Sequence, residues 1–245
     1  MNNLWKYIIM SLSIVLAAIV VAAAYTEGSK PAMGTITVTG LGETEFTSDL
    51  IVIEGEIRTE DYEAADAYSE LERSRSKVVS FLVEKGVKEE CISFDMPNSY
   101  ELHRSQYENG DYVGDIFAGY KIRLNYTIES EDIDTVENAA RELTSLFAEG
   151  IDISVENPMY YFSGLEDVKL KLLAEAASDA RERALNIANS SEAELGKLKT
   201  ARAGVFQITA ATGDEEFLAG GSFNLSSRDK KARVTVRSEF YIKGK

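Results

Sequence analysis

Two residues bound the chemistry open to this chain: His103, its only histidine, and Cys91, its only cysteine. A histidine-centred proton relay needs a nucleophile on one side of the ring and an orienting carboxylate on the other. His103 has Asp111 and Asp115 near it in sequence, beside a hairpin signal, but the placement fits a solvated strand-end histidine better. One cysteine can form neither an internal disulfide nor a Cys-x-x-Cys site, and Cys91, at the head of a strand, reads as a small apolar side chain. One His and one Cys also fall short of a nitrogen/sulfur metal site, so of metals only carboxylate-bound calcium stays open. The acidic run Glu129, Glu131, Asp132 and Asp134 lacks the spacing and central glycine of a calcium loop. It falls on a helix start, where the dipole favours carboxylates.

Other motifs are equally plain. Gly40-Leu41-Gly42 follows a strand, but no third glycine and no helix follow, so it reads as a turn and not as a dinucleotide site. There is no GxxxxGK[ST] and no GxSxG. No catalytic, cofactor-binding or metal residue is therefore assigned, no cofactor is expected, and the expectation is a non-enzyme.

The elements that would position these residues belong to a globular chain. It has 245 residues, 44% hydrophobic and 27% charged, with only 3 prolines. Lys+Arg number 26 and Asp+Glu 41, a formal net charge of −15 that repels phosphate backbones. Gly119-Tyr120-Lys121-Ile122-Arg123-Leu124 loosely echoes the aromatic strand of RNA-recognition modules. That strand needs two aromatics on a basic surface, so nucleic acid is not an expected partner.

Residues 1–24 stand apart. A short segment carrying Lys6 precedes residues 7–24, a run of 18 without charge that ends Ala22-Ala23-Ala24. The length suits an uncleaved membrane anchor and the small residues suit a signal-peptide cleavage site, so both readings stand. Either way the lysine before the run places the remainder outside the cytoplasm, periplasmic or extracytoplasmic and, if uncleaved, anchored in the inner membrane. Residues 25–34 read as a linker.

Residues 35–245 read as one α+β domain. Strands are expected at 35–41 and 49–59, the second with Leu50, Val52 and Glu54 on one face and Ile51, Ile53 and Ile57 on the other. Gly55 marks a bulge or a close approach there. A helix capped by Asp61 runs to Lys85, with Gly86 after it. A strand at 92–103, a turn at Asn109-Gly110 and a strand at 116–128 form a hairpin. A helix at 132–149, Gly150 and a strand at 151–161 follow. Ser163 and Glu166 read as a capping box opening a long helix to Ser190, with a stripe of Leu173, Ala176, Ala177, Ala180, Ala184, Ile187 and Ala188. The last strands are 197–210 and 232–243, around a loop at 211–231. The order from 49 to 161 is β-α-β-β-α-β, a ferredoxin-like core to which the long helix and extra antiparallel strands are added.

Three stretches together resemble the SIMPL-domain family: Ile36-Thr37-Val38-Thr39-Gly40-Leu41-Gly42-Glu43 followed by Asp49; Gly119-Tyr120 opening an alternating strand; and Ala177-Ser178-Asp179-Ala180-Arg181-Glu182-Arg183-Ala184 with Ala188 and Leu195-Gly196-Lys197-Leu198. The resemblance covers residues 35–245. It implies an exported bacterial protein, often periplasmic, with some relatives linked to oxidative-stress defence and some assembling as homo-oligomers. The family has no established catalytic residues to carry over. This chain departs from it in the loop 211–231, which lacks the proline-rich or methionine-rich stretches of relatives. Phe217, Leu218, Phe223 and Leu225 in that loop are more apolar than an idle loop requires. They serve either as an interface anchor or as side chains folded back on their own sheet. Two functions remain: an envelope protein acting by self-association or by scaffolding other envelope proteins, and a binding protein or hydrolase for a small envelope ligand.

Overall fold

The structure, a computed structural model, describes residues 3–28, 34–212 and 220–244. It is α+β, with four α-helices and two sheets among those residues. The chain divides into a larger unit, Leu41–Asp179 with Ala203–Val236, and a smaller one, Met1–Gly40 with Ala180–Arg202 and Arg237–Lys245. In chain order the elements are α1 (Asn3–Gly28), β1 (Thr35–Thr47), β2 (Leu50–Asp61), α2 (Ala64–Glu84), β3 (Ile92–Phe94), β4 (Asn98–Glu108), β5 (Asp111–Ser130) and α3 (Ile133–Leu143). There follow a 3-10 turn (Thr144–Glu149), β6 (Asp152–Val155), β7 (Met159–Tyr161), α4 (Leu165–Ser190), β8 (Ala193–Ala203), β9 (Gln207–Ala210), β10 (Ser222–Phe223) and β11 (Asp229–Gly244).

In the larger unit, β2 lies at the centre of a six-stranded sheet. Its neighbours run in the order β3–β5–β2–β6, with β4 also on β5 and β7 also on β2, each pairing antiparallel. The period-2 pattern sends Ile51, Ile53 and Ile57 of β2, and Ile122, Leu124, Tyr126 and Ile128 of β5, to one face. There they bury against the stripe Ala67, Leu71, Val78 and Leu82 of α2 and Ile133, Val136, Ala140 and Leu143 of α3. Apolar area removed from water at about 25 cal/mol per Å² drives this packing.

Several junctions behave as the sequence implies. Asn109 and Gly110 both take positive φ, 52° and 95°, at the tight turn between β4 and β5. Gly86 and Gly150 follow helical segments with φ of 95° and 87°.

Other boundaries differ. Asp61 does not cap α2. Its Oδ1 accepts from the Glu63 N–H, which makes a local turn, and the N-cap is Glu63 without a side-chain bond. Ser163 directs its N–H and its hydroxyl to Asp49 at 2.8 and 2.5 Å, while Glu166 pairs with Lys169, so the two form no reciprocal box. The expected strand 92–103 is broken at residues 95–97, where Pro97 has no N–H to donate, and continues as β4. The strand 151–161 breaks between β6 and β7, and 197–210 breaks between β8 and β9. The buried stripe of α4 keeps the expected Ala176, Ala180, Ala184 and Ala188, with Leu172 in place of Leu173 and with Ala177 and Ile187 outside it. Leu172, Ala176, Ala180, Ala184 and Ala188 are fully buried, while Leu173 is partly buried and Ile187 is 46% exposed. A strict four-residue spacing of alanines allows close backbone approach, and a Cβ on Gly42 would collide with the Leu172 carbonyl.

The second sheet has five strands in the order β1–β11–β9–β10, with β8 also on β11. In the larger unit Leu172 and Ala176 pack with Ile208, Ala232, Val234 and Val236. In the smaller unit Val38, Ala180, Ala184 and Phe240 form a separate cluster, joined by Ile36 and Leu195. Among the described residues no helix is long and apolar enough to cross a membrane. The expectation of an anchor or a cleavable signal at residues 7–24 falls in part on side chains outside those described.

Candidate functional site

The alternation that buries one face of β2 and β5 turns a row of polar side chains to the other. On β2 these are Glu54, Glu56, Arg58 and Glu60; on β5, Lys121, Arg123, Asn125 and Thr127; on β6, Asp152 and Ser154. Register then fixes the neighbours. Arg58 lies opposite Arg123 on one side and Asp152 on the other, and Glu56 lies between Asn125 and Ser154. Two guanidinium groups facing each other across strands repel. The Glu56 carboxylate relieves this, with Oε1 3.7 Å from Arg58 Nε and 3.9 Å from Arg123 Nε. Asp152 Oδ1 accepts from Arg58 at 2.8 Å, Lys121 pairs with Glu60 at 2.6 Å, and Arg123 lies 5.1 Å over the Tyr100 ring.

Beside this row is a cavity of about 520 Å³, lined by Glu54, Glu56, Arg58, Asp95, Asn125 and Glu156 among others. Asn125 Nδ2 donates to Asp95 across its edge at 3.3 Å. The Arg58 Nε and the Tyr100 hydroxyl are buried there and on the neighbouring strand without a hydrogen-bond partner among the described residues. Four of the named lining side chains are carboxylates and one is a guanidinium, so the cavity favours cations. Tyr126 closes it from below. Its hydroxyl donates to the Ser154 carbonyl at 2.8 Å, and burial pushes its ionisation well above the ordinary phenol range, with the Glu156 charge adding to the effect. A phenol held neutral in this way and bonded to backbone serves as a floor. No nucleophile is paired with a base in this lining.

The side chains singled out from sequence lie elsewhere. His103 is half exposed on β4, with Glu101 Oε2 at 3.8 Å and Phe117 edge-on at 6.2 Å. Asp115 accepts from Ser105 and Tyr112 instead, so the structure does not assemble His103 with Asp111 and Asp115. Cys91 is a free, partly buried thiol packed against the larger core. Asp132 is the N-cap of α3, accepting from the Thr135 N–H, and Asp134 pairs with Arg228. Among the described residues no group of three or more metal-ligating side chains gathers. Phe217 and Leu218 lie outside the described residues. Leu225 is half-buried and its carbonyl accepts from the Tyr160 N–H, while Phe223 is 51% exposed on β10.

Sequence reading missed Arg58, Arg123, Glu56 and Asp152. The signal was present as polar alternation, Glu54-x-Glu56-x-Arg58-x-Glu60 and Lys121-x-Arg123-x-Asn125, in strands whose other face is apolar.

A second feature comes from β5 outrunning β2. β2 pairs with β5 only from Tyr120 onward, so residues 102–119 leave the sheet as a two-stranded ribbon. Gly119, at φ 121°, sits where a Cβ would lie 2.5 Å from the Asp61 carbonyl oxygen. Along the ribbon, Tyr62, Phe117 and Tyr120 form edge-on ring pairs, and Tyr107 meets Tyr112 at the tip. Tyr107, Tyr112, Val113 and Ile116 are each at least half exposed.

An α+β chain with this motif order belongs to a defined class. The family model described as SIMPL, protein of unknown function (DUF541), matches residues 36–240, and the chain belongs to that family. No curated protein matches the sequence. Among solved structures, the de novo designed protein Foldit4 is similar over 44% of this chain and 93% of its own, at 11% identity and a TM-score of 0.25.

Proposed function

We propose that this SIMPL-family chain is an exported, non-catalytic envelope protein that works by associating with copies of itself. The observation that carries this reading is the ribbon of residues 102–119, with its four exposed apolar or aromatic side chains. An isolated two-stranded ribbon is marginal in water, and exposed apolar surface of this kind marks contact sites. The uncharged run at 7–24 behind Lys6 supports export, with α1 as its signal. Leu50–Tyr161 is read as a ferredoxin-like unit, supported by the strand order β6–β2–β5–β3 with α2 and α3 on one face.

Sedimentation of the full chain in mild detergent over a hundredfold concentration range tests association; a mass that stays monomeric throughout would refute it. A periplasm-active reporter fused after residue 245 tests export, and a signal confined to the cytoplasm would refute that part.

A second reading rests on the acidic cavity, which suits a small cationic ligand. Calorimetric titration with spermidine, a simple polycation, tests it. Saturable binding abolished by Glu56→Gln with Asp95→Asn favours this reading, and absence of binding removes it.

A further inference from the structure

β4 is an edge strand: its only strand neighbour among the described residues is β5. Exposed edges are usually blunted by lysine, proline or bulges. β4 has no lysine and no proline, and Pro97 stands just before it. The two irregularities of the ribbon fall on the other strand. Pairing steps from Leu102↔Gly119 to His103↔Phe117 and from Gln106↔Gly114 to Tyr107↔Tyr112, so Ala118 and Val113 are the extra residues. β4 therefore presents an uninterrupted row of backbone donors and acceptors.

We propose that this free edge pairs antiparallel with β4 of a second copy, in the register centred on Leu102. This deepens the self-association reading and rests on it. Symmetry does much of the selection. A two-fold pairing of one edge with itself has its axis normal to the sheet, so each side chain keeps its face and opposite residues share parity. Only registers centred on a residue are allowed. Centring on Glu101 sets two carboxylates against each other, on His103 two imidazoles, and on Arg104 two guanidinium groups. Centring on Leu102 places Leu102 against itself at the axis. Tyr100 then faces Arg104 of the second copy, and Glu101 faces its His103, whose ring N–H donates to a carboxylate in either protonation state. Ser99 meets Ser105 and Asn98 meets Gln106. Each of these contacts occurs twice.

The side chains are free to do this. Glu101 and His103 are 57% and 48% exposed, and Arg104 is exposed without an ion pair among the described residues. A sheet continued through residues 98–106 of each copy adds on the order of nine backbone hydrogen bonds.

The test uses the full chain in mild detergent with Cys91→Ser. Leu102→Cys should oxidise to a disulfide-linked dimer, because position 102 meets itself, whereas Arg104→Cys, which faces Tyr100, should not. Glu101→His and His103→Glu should each weaken dimerisation at least tenfold in sedimentation, and the two together should restore it. If the chain associates but Leu102→Cys stays uncrosslinked and the single variants change nothing, the β4 interface is wrong and self-association stands. A chain that is monomeric at every concentration removes both. Crosslinking only to a different protein, as in strand addition by a foreign peptide, also overturns the proposal.

Discussion

Gly55 of β2 lies directly opposite Tyr126 of β5, and the phenol crosses the space that a side chain at 55 would occupy to reach the Ser154 carbonyl. A Cβ at 55 would collide with both the Tyr126 hydroxyl and the Ser154 oxygen. Gly55→Ala should therefore destabilise the domain by about 3 kcal/mol, at the upper end of overpacking effects, read as a lowered urea midpoint. Adding Tyr126→Phe should not rescue it, because the backbone oxygen remains in the way.

Tyr126→Phe alone keeps the packing and removes one donor. It leaves the Ser154 carbonyl without its bond at a part-buried site, which should cost roughly 1–2 kcal/mol. The same denaturation measurement checks it. A neutral outcome would mean that water replaces the phenol there.

Glu56 holds two opposed guanidinium groups together, and Glu56→Gln removes the charge that does so. A loss of about 1 kcal/mol is expected at low salt, shrinking as ionic strength rises, since these side chains are partly exposed. Measuring the urea midpoint at two salt concentrations checks this. A loss that is indifferent to salt would point to packing instead.

Tyr160 gives a pH signature. Burial, and then its hydrogen bond to Glu137, push the phenol up to about 12. The unfolded chain ionises near the ordinary value of about 10. Its contribution to stability is thus complete below pH ~10 and is lost as the pH climbs through about 12. Tyr160→Phe should flatten that decline, though not abolish it, because Tyr126 acts in the same direction. Denaturation midpoints at about pH 9 and about pH 11.5 decide the matter.

The alanines of α4 are a spacing device. Ala184 is fully buried beside Val38 and Phe240, with no room for a longer chain. Ala184→Leu should cost about 3 kcal/mol or abolish folding, whereas the same change at the exposed Glu182 should be nearly silent. Thermal melts of the two variants provide the comparison.

Much of this was readable in the sequence where a residue has a single physical use. Asn109-Gly110 could only be a tight turn, Gly86 and Gly150 stand after helical segments, and a lone glycine in β2 signalled close approach. Places where two uses compete were not readable. Ser163 looks like a capping serine, but Asp49, remote in sequence, is a better acceptor. The alanine stripe of α4 was readable, but its edges were not, because Leu172 and Leu173 are equivalent until the partner surface is known. The polar row through Arg58 and Arg123 exists only once β2 and β5 are in register, and no one strand announces it. The ribbon was underestimated for a similar reason: alternation predicts a strand, not the point at which its neighbour stops.

That stopping point has a mechanical consequence. From Leu102, opposite Gly119, to the turn at Asn109 the ribbon reaches about 23 Å at ~3.3 Å per residue, and a Cβ on Gly119 would collide with the Asp61 carbonyl. The arrangement is a lever with its fulcrum at a residue that has no side chain to brace it. A rotation of only about 10° at that fulcrum carries the Tyr107–Tyr112 tip through about 4 Å, close to one strand spacing. A small change in how Gly119 rests on the end of β2 is thereby converted into a displacement large enough to bring the tip within reach of one neighbour or another.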